Sequence, residues 1–144
     1  MLVPRRPAGR LIDTVWNGFH NAVMASPRIT RDRLKARLDE GAAVVIVDAR
    51  LKYPYEHSSV RIAGAVRVMA DDPLPAVPAG SEVVVYDSDP HELSASRLTA
   101  RFIRAGVRAA ALEGGIAEWL AGNLPVETKD APRQAAPEPG ALKN

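Results

Sequence analysis

The sequence predicts an α/β layer fold built on a mainly parallel sheet. Three observations carry that expectation. The aliphatic runs Ala43-Val44-Val45-Ile46-Val47 and Glu82-Val83-Val84-Val85-Tyr86 have the pattern of strands buried on both faces. Segments with helical spacing alternate with such runs from residue 29 to residue 126. The 144 residues are 47% apolar and 25% charged, enough for one domain with a sizeable core. That balance excludes a wholly disordered or fibrous chain.

The elements follow in order. Residues 1–9 carry two prolines and a glycine and form an irregular lead. From 10 to 24, Leu11, Ile12, Val15, Trp16, Phe19 and Val23 recur at helical spacing, and Asp13, Asn17 and His20 take the opposite side. This is an amphipathic helix ending near Ser26-Pro27. Thr30 N-caps a second helix that carries Leu34 and Leu38, with Gly41 as its stop. The strand at 43–47 comes next, then a turn at 62–65 entering a strand that ends at Val68. A proline-rich connector spans 71–81, followed by the strand at 82–86. A helix from Ser94 to Ala105 presents Ala95, Leu98 and Phe102 on one face. Ala109–Leu112 is the least marked strand, and a short helix at Gly115–Ala121 is closed by Gly122 and Pro125. The expected organisation is an extension at 1–26, a domain at 27–127 and a disordered tail at 128–144.

Several function classes are excluded or disfavoured. With no cysteine there is no disulfide, no cysteine metal site and no cysteine nucleophile. Residues 1–37 hold eight basic side chains against two acidic ones, a front end that can face anionic surfaces or simply water. No apolar run reaches the length of a membrane span, and the start lacks the apolar stretch of a secretory signal, so a cytoplasmic address is expected. Arg97, Arg101 and Arg104 form a basic row at helical spacing, read as a solvated face or a site for phosphate or an acidic partner. No aromatic side chains interleave it to stack bases, so no nucleic-acid partner is expected.

Folds of this class place their sites beyond the carboxyl ends of the strands. Two segments sit there: Asp48-Ala49-Arg50 and the loop Asp87 to Arg97. Val45-Ile46-Val47-Asp48-Ala49-Arg50, Ile62-Ala63-Gly64-Ala65, Val83-Val84-Val85-Tyr86 and Leu112-Glu113-Gly114-Gly115 stand in one order, followed by Trp119, Gly122 and Pro125. In that order they resemble the motifs of the rhodanese-like (sulfurtransferase) family, with Ala63 where that family usually has proline. The resemblance covers about residues 27–127. It implies a three-layer domain with a five-stranded, mainly parallel sheet between helices.

The resemblance also implies a persulfide-carrying cysteine directly after the Val83–Tyr86 strand, cradled by loop N–H groups. Asp87 holds that position. A carboxylate cannot carry transferable sulfur, because the chemistry needs a thiolate. Thiosulfate sulfurtransferase activity is therefore not expected. The position predicts instead that the Asp87 carboxylate fills the anion site of the loop and that the loop's hydrogen bonds lower its pKa.

Candidate roles follow for the loop residues Asp87, Ser88, Asp89, Pro90, His91, Glu92, Leu93, Ser94, Ala95, Ser96 and Arg97. Asp87 is a structural loop cap, a nucleophile of altered chemistry, or a metal ligand together with Asp89, His91 and Glu92. His91 is a candidate general base without an identifiable partner. Ser94 and Ser96 are expected to cap the helix. Asp48 and Arg50 are read as a structural pair near the site, and Tyr55 as a residue lining it. No cofactor, metal or small-molecule substrate is assigned.

The stripe Leu11, Ile12, Val15, Trp16, Phe19 and Val23 has to be covered. Its candidates are the domain's own surface, a protein partner or second copy, and, less favoured, a membrane surface. The leading functional expectation is a non-catalytic binding or regulatory module on a sulfurtransferase scaffold. The alternatives are an enzyme of altered chemistry using Asp87 or His91 with a metal or phosphorylated substrate, and an accessory that uses a partner's cysteine.

Overall fold

The computed structural model describes residues 27–129, and the amphipathic segment at 10–24 lies outside them. The elements are β1 (Arg28–Ile29), α1 (Arg31–Asp39), β2 (Val44–Asp48), α2 (Lys52–Glu56), β3 (Val60–Ile62), β4 (Val66–Arg67), β5 (Glu82–Tyr86), α3 (Leu93–Arg104), β6 (Arg108–Leu112), α4 (Gly115–Ala121) and β7 (Val126–Thr128). Five strands form one sheet in the order β1-β6-β5-β2-β4, with every pairing parallel. β3 and β7 form a separate antiparallel pair, with Ile62 opposite Val126.

Local chemistry accounts for the elements. Thr30 is extended, and its Oγ1 accepts from Arg33 N at 3.1 Å, the cap expected for α1. Leu34 is the buried residue of α1. β2 and β5 are β-branched throughout their centres and pair over five residues, Val44 opposite Glu82 through Asp48 opposite Tyr86. The residues expected to turn directly into one strand behave differently. β3 peels away to pair with β7, and only Val66–Arg67 joins the main sheet beside β2. β7 runs through Thr128, so ordered pairing extends one residue into the stretch read as a tail.

The sheet has a core on each face. Leu34 of α1 with Ile116 and Trp119 of α4 packs against Ile46, Val84, Tyr86 and Leu112. Ala95, Leu98 and Phe102 of α3 pack on the other face against Val47, Val83, Val85 and Ala111, with Leu74 and Val77 of the connector beside them. Trp119 is fully enclosed, and its indole N–H donates to Pro125 O at 2.7 Å.

One buried polar atom has no partner among the described residues: Thr99 Oγ1, on a residue with no exposed surface. A buried hydroxyl without a hydrogen bond costs stability, and valine has nearly the same shape. Thr99→Val should stabilise the protein by about 1 kcal/mol in urea denaturation. A loss of stability would show that the hydroxyl has a partner.

Candidate functional site

The site rests on a buried carboxylate at the end of β2. Asp48 and Arg50 are 1% and 2% exposed. Arg50 Nε donates to Asp48 Oδ1 at 3.0 Å and Nη2 to Oδ2 at 2.6 Å, and the Arg50 backbone N–H also donates to Oδ1. The Tyr86 hydroxyl donates to Asp48 Oδ2 at 2.9 Å and accepts from Ile62 N at 3.2 Å. Burial and the adjacent Asp48 charge push the Tyr86 phenol well above its usual range, so it stays a neutral donor. Arg67 Nη1 donates to Arg50 O at 2.6 Å. The Arg67 guanidinium and the Lys129 ammonium each lie 3.9 Å from the centre of the Tyr55 ring, and Lys129 also bonds Tyr55 O.

Asp87 follows β5 directly and is 1% exposed. Its Oδ2 accepts from Ala95 N at 2.7 Å and its Oδ1 from Asp89 N at 3.2 Å. The carboxylate thus takes the inward-pointing N–H groups of its own loop. Its pKa moves opposite to the sequence expectation. Burial pushes it above the usual carboxylate range, and the negative charges of Asp89 and Glu92 push the same way. The two hydrogen bonds oppose that rise without cancelling it.

The rest of the loop is fixed by acceptors rather than by serines. Asp89 takes His91 N and Leu93 N, which lowers its pKa. Glu92 precedes α3 in the left-handed region, at φ 56° and ψ 33°, a costly conformation for this residue. Its carboxylate takes Arg28 Nε at 2.9 Å, Arg28 Nη2 at 2.7 Å and Gly114 N at 3.0 Å. The bidentate Arg28 contact lowers the Glu92 pKa and ties the loop to β1 and to the β6–α4 turn. The expected serine caps do not form: Glu92 is the N-cap residue, and Ser94 and Ser96 lie inside α3. At the turn, Gly115 has φ +58°, and a Cβ there would stand 2.1 Å from Asp87 O. Ile116 N donates to that same oxygen at 3.1 Å.

A cleft of about 270 Å³ opens here, lined by Leu51, Pro54, Asp87, Ser88, Asp89, Pro90 and Ser94. Five of the predicted loop residues therefore meet in it. His91 is exposed, and Glu92 is committed to Arg28 and Gly114. Among the described residues, no group of three or more His, Asp or Glu side chains could hold a metal ion. Asp48, Arg50 and Tyr55 do not line the cleft but brace the backbone around it. Arg97, Arg101 and Arg104 border a different hollow with Ala70 and Asp71, where Arg101 Nη1 donates to Ala70 O at 2.6 Å. The sequence reading missed Leu51 and Pro54. An apolar residue and a proline directly after Asp-x-Arg were the available signal.

A parallel sheet between helices, with a loop cradle at the carboxyl end of β5, is the architecture of the rhodanese-like class. The family model "Rhodanese-like domain" matches residues 30–122, and the chain belongs to that family. No curated protein matches it. Among solved structures it is similar to the BH2092 protein from Bacillus halodurans, at 20% identity and TM-score 0.63, covering 83% of this chain and 90% of that one. It is similar to RPA3614 from Rhodopseudomonas palustris, described as a possible tyrosine phosphatase, at 21% identity and TM-score 0.59, covering 87% and 99%. It is also similar to SseA from Escherichia coli, a 3-mercaptopyruvate sulfotransferase, at 22% identity and TM-score 0.56, covering 75% and 54%. These likenesses establish the fold.

Two measurements check the site. A folded-state pKa raised above the unfolded value means that folding favours the protonated carboxyl. Relative to Asp87→Asn, the protein should therefore lose stability as pH rises from the unfolded aspartate value, about 3.9, through the raised folded value. Paired denaturation curves across that range read it, and a relative gain would reverse the assigned direction. Gly115→Ala combines a left-handed φ with a backbone clash and should cost about 2–4 kcal/mol, read as a lower denaturation midpoint.

Proposed function

We propose that this chain is a rhodanese-like binding or regulatory module that transfers no sulfur, and that its cleft receives a basic side chain of a protein partner. One observation carries the reading: the cradle that would hold an anion is filled by the chain's own Asp87 carboxylate, bonded to Ala95 N and Asp89 N. A second anion at that point meets Asp87 and Asp89 together, which disfavours thiosulfate and phosphate esters.

The rim supports the same ligand class. Leu51 lines the cleft and is 59% exposed, and the exposed Tyr53 and Leu93 directly precede the cleft-lining Pro54 and Ser94 in the chain. A lysine or arginine offers an aliphatic stem for such a rim and a charged donor for the acidic floor. Protein recognition through this cleft agrees with a domain that keeps the family's scaffold and lacks its nucleophile.

Amide NMR titrations test the reading. A short peptide carrying one arginine between neutral residues should shift Ser88, Asp89 and Ser94 signals, and Asp87→Asn should weaken the response. Thiosulfate and phenyl phosphate should leave those signals in place, and thiocyanate formation from thiosulfate and cyanide should stay at the buffer rate. A saturable response to either anion with none to the peptide would sink the proposal.

A further inference from the structure

At the opposite end of the sheet lies a second concavity, of about 570 Å³. Pro27, Val83, Ile103, Val107 and Ala109 supply its apolar lining, with Glu82 and Arg108 as charged neighbours. It sits where β5 and β6 begin, whereas the Asp87 cleft sits where β5 ends. The two faces of the sheet are covered unequally. α1 and α4 share one face, while α3 is the only helix on the other among the described residues. Val107 and Ala109 belong to the core on that second face but are only partly buried.

We infer that this groove is the docking site of the chain's own segment 10–24, laid beside α3 as a second helix on that face. Chain connectivity identifies the occupant. Pro27, the first described residue, is itself part of the groove wall, and its carbonyl accepts from Ala111 N at 2.8 Å. The described domain therefore begins at the groove wall. Val23 stands four residues before Pro27, within about 14 Å of extended chain. The segment offers one apolar stripe, Leu11, Ile12, Val15, Trp16, Phe19 and Val23, on about 22 Å of helix. A tethered stripe has a high effective concentration at a groove this near, an advantage that a separate partner lacks.

The absence of cysteine makes the test clean, because one introduced thiol can be labelled alone. Arg104 is exposed on α3 next to the groove residue Ile103. The full-length Arg104→Cys protein is to carry a nitroxide, with the two tryptophan indole N–H signals followed by NMR. The Trp16 signal should lose most of its intensity and recover when the nitroxide is reduced. Adding Val107→Asp should restore it, while the Trp119 signal, fixed by its bond to Pro125 O, reports that the domain is still folded. Should Val107→Asp fail to fold, Ile103→Glu in a protein labelled at Ala105→Cys serves the same purpose. A Trp16 signal indifferent to the nitroxide overturns the inference. So does broadening that appears only when a labelled chain without nitrogen-15 is mixed with an unlabelled nitrogen-15 chain, since that assigns the groove to a second copy.

Discussion

The Asp48 carboxylate decides where most of the structure beyond the β-strand ends can lie. A charge this buried is tolerated only with its oxygens satisfied, and Arg50 and Tyr86 satisfy them. Each partner then reaches further. Arg50 Nη2 donates to Val60 O, and the Tyr86 hydroxyl accepts from Ile62 N. Both contacts fall on β3, so one carboxylate aligns the small β3–β7 pair against the main sheet. Ala49 N donates to Tyr86 O at 2.8 Å, which fixes the point at which β5 gives way to Asp87. The loop cradle therefore inherits its position from a buried ion pair that never touches the cleft.

The two aspartates that follow β2 and β5 show how environment separates like residues. Asp48 has an arginine and a phenol. Asp87 has only backbone N–H groups, and Asp89 and Glu92 add negative potential. Hydrogen bonds from neutral donors help the charged form, but they do not replace a counter-ion at a largely desolvated site. Arg28, which reaches the loop from β1, is taken by Glu92. That pairing closes the loop against β1 and leaves the cleft floor acidic.

Much of this was legible in the residues, and the limits have physical causes. β2 and β5 are unbroken aliphatic runs, α3 carries its buried face at regular spacing, and Thr30 announces its helix. Asp48 and Arg50 are two apart and pair as adjacency suggests. β3 and β7 are three residues each and exist because they find one another across 66 residues of chain, as Arg61 and Glu127 do. α2, Lys52-Tyr53-Pro54-Tyr55-Glu56, is too short for a period and contains a proline. Glu92 reads as one acid among several until Arg28, 64 residues away, is beside it. The Asp87 pKa turns on a balance between burial and hydrogen bonding, and spacing gives no measure of burial.

That balance also explains why aspartate suits the position. The loop aims Ala95 N and Asp89 N at a nearly buried point on the cleft floor, and an alanine or valine there would leave both donors unsatisfied. Each such loss costs about 1–3 kcal/mol. A serine hydroxyl reaches less far and offers one oxygen for two divergent donors. Aspartate is the shortest side chain with two acceptor oxygens, and here it spends one on each donor. The opposing cost is a desolvated charge, which the raised pKa expresses. On the proposed reading, a basic group entering the cleft would relieve that cost without displacing either loop hydrogen bond, because each carboxylate oxygen has lone pairs for more than one donor. An entering anion would meet the same charge with the opposite sign of energy. The residue that directly follows β5 thus closes its own loop by accepting both inward-pointing donors, at the cost of a buried carboxylate.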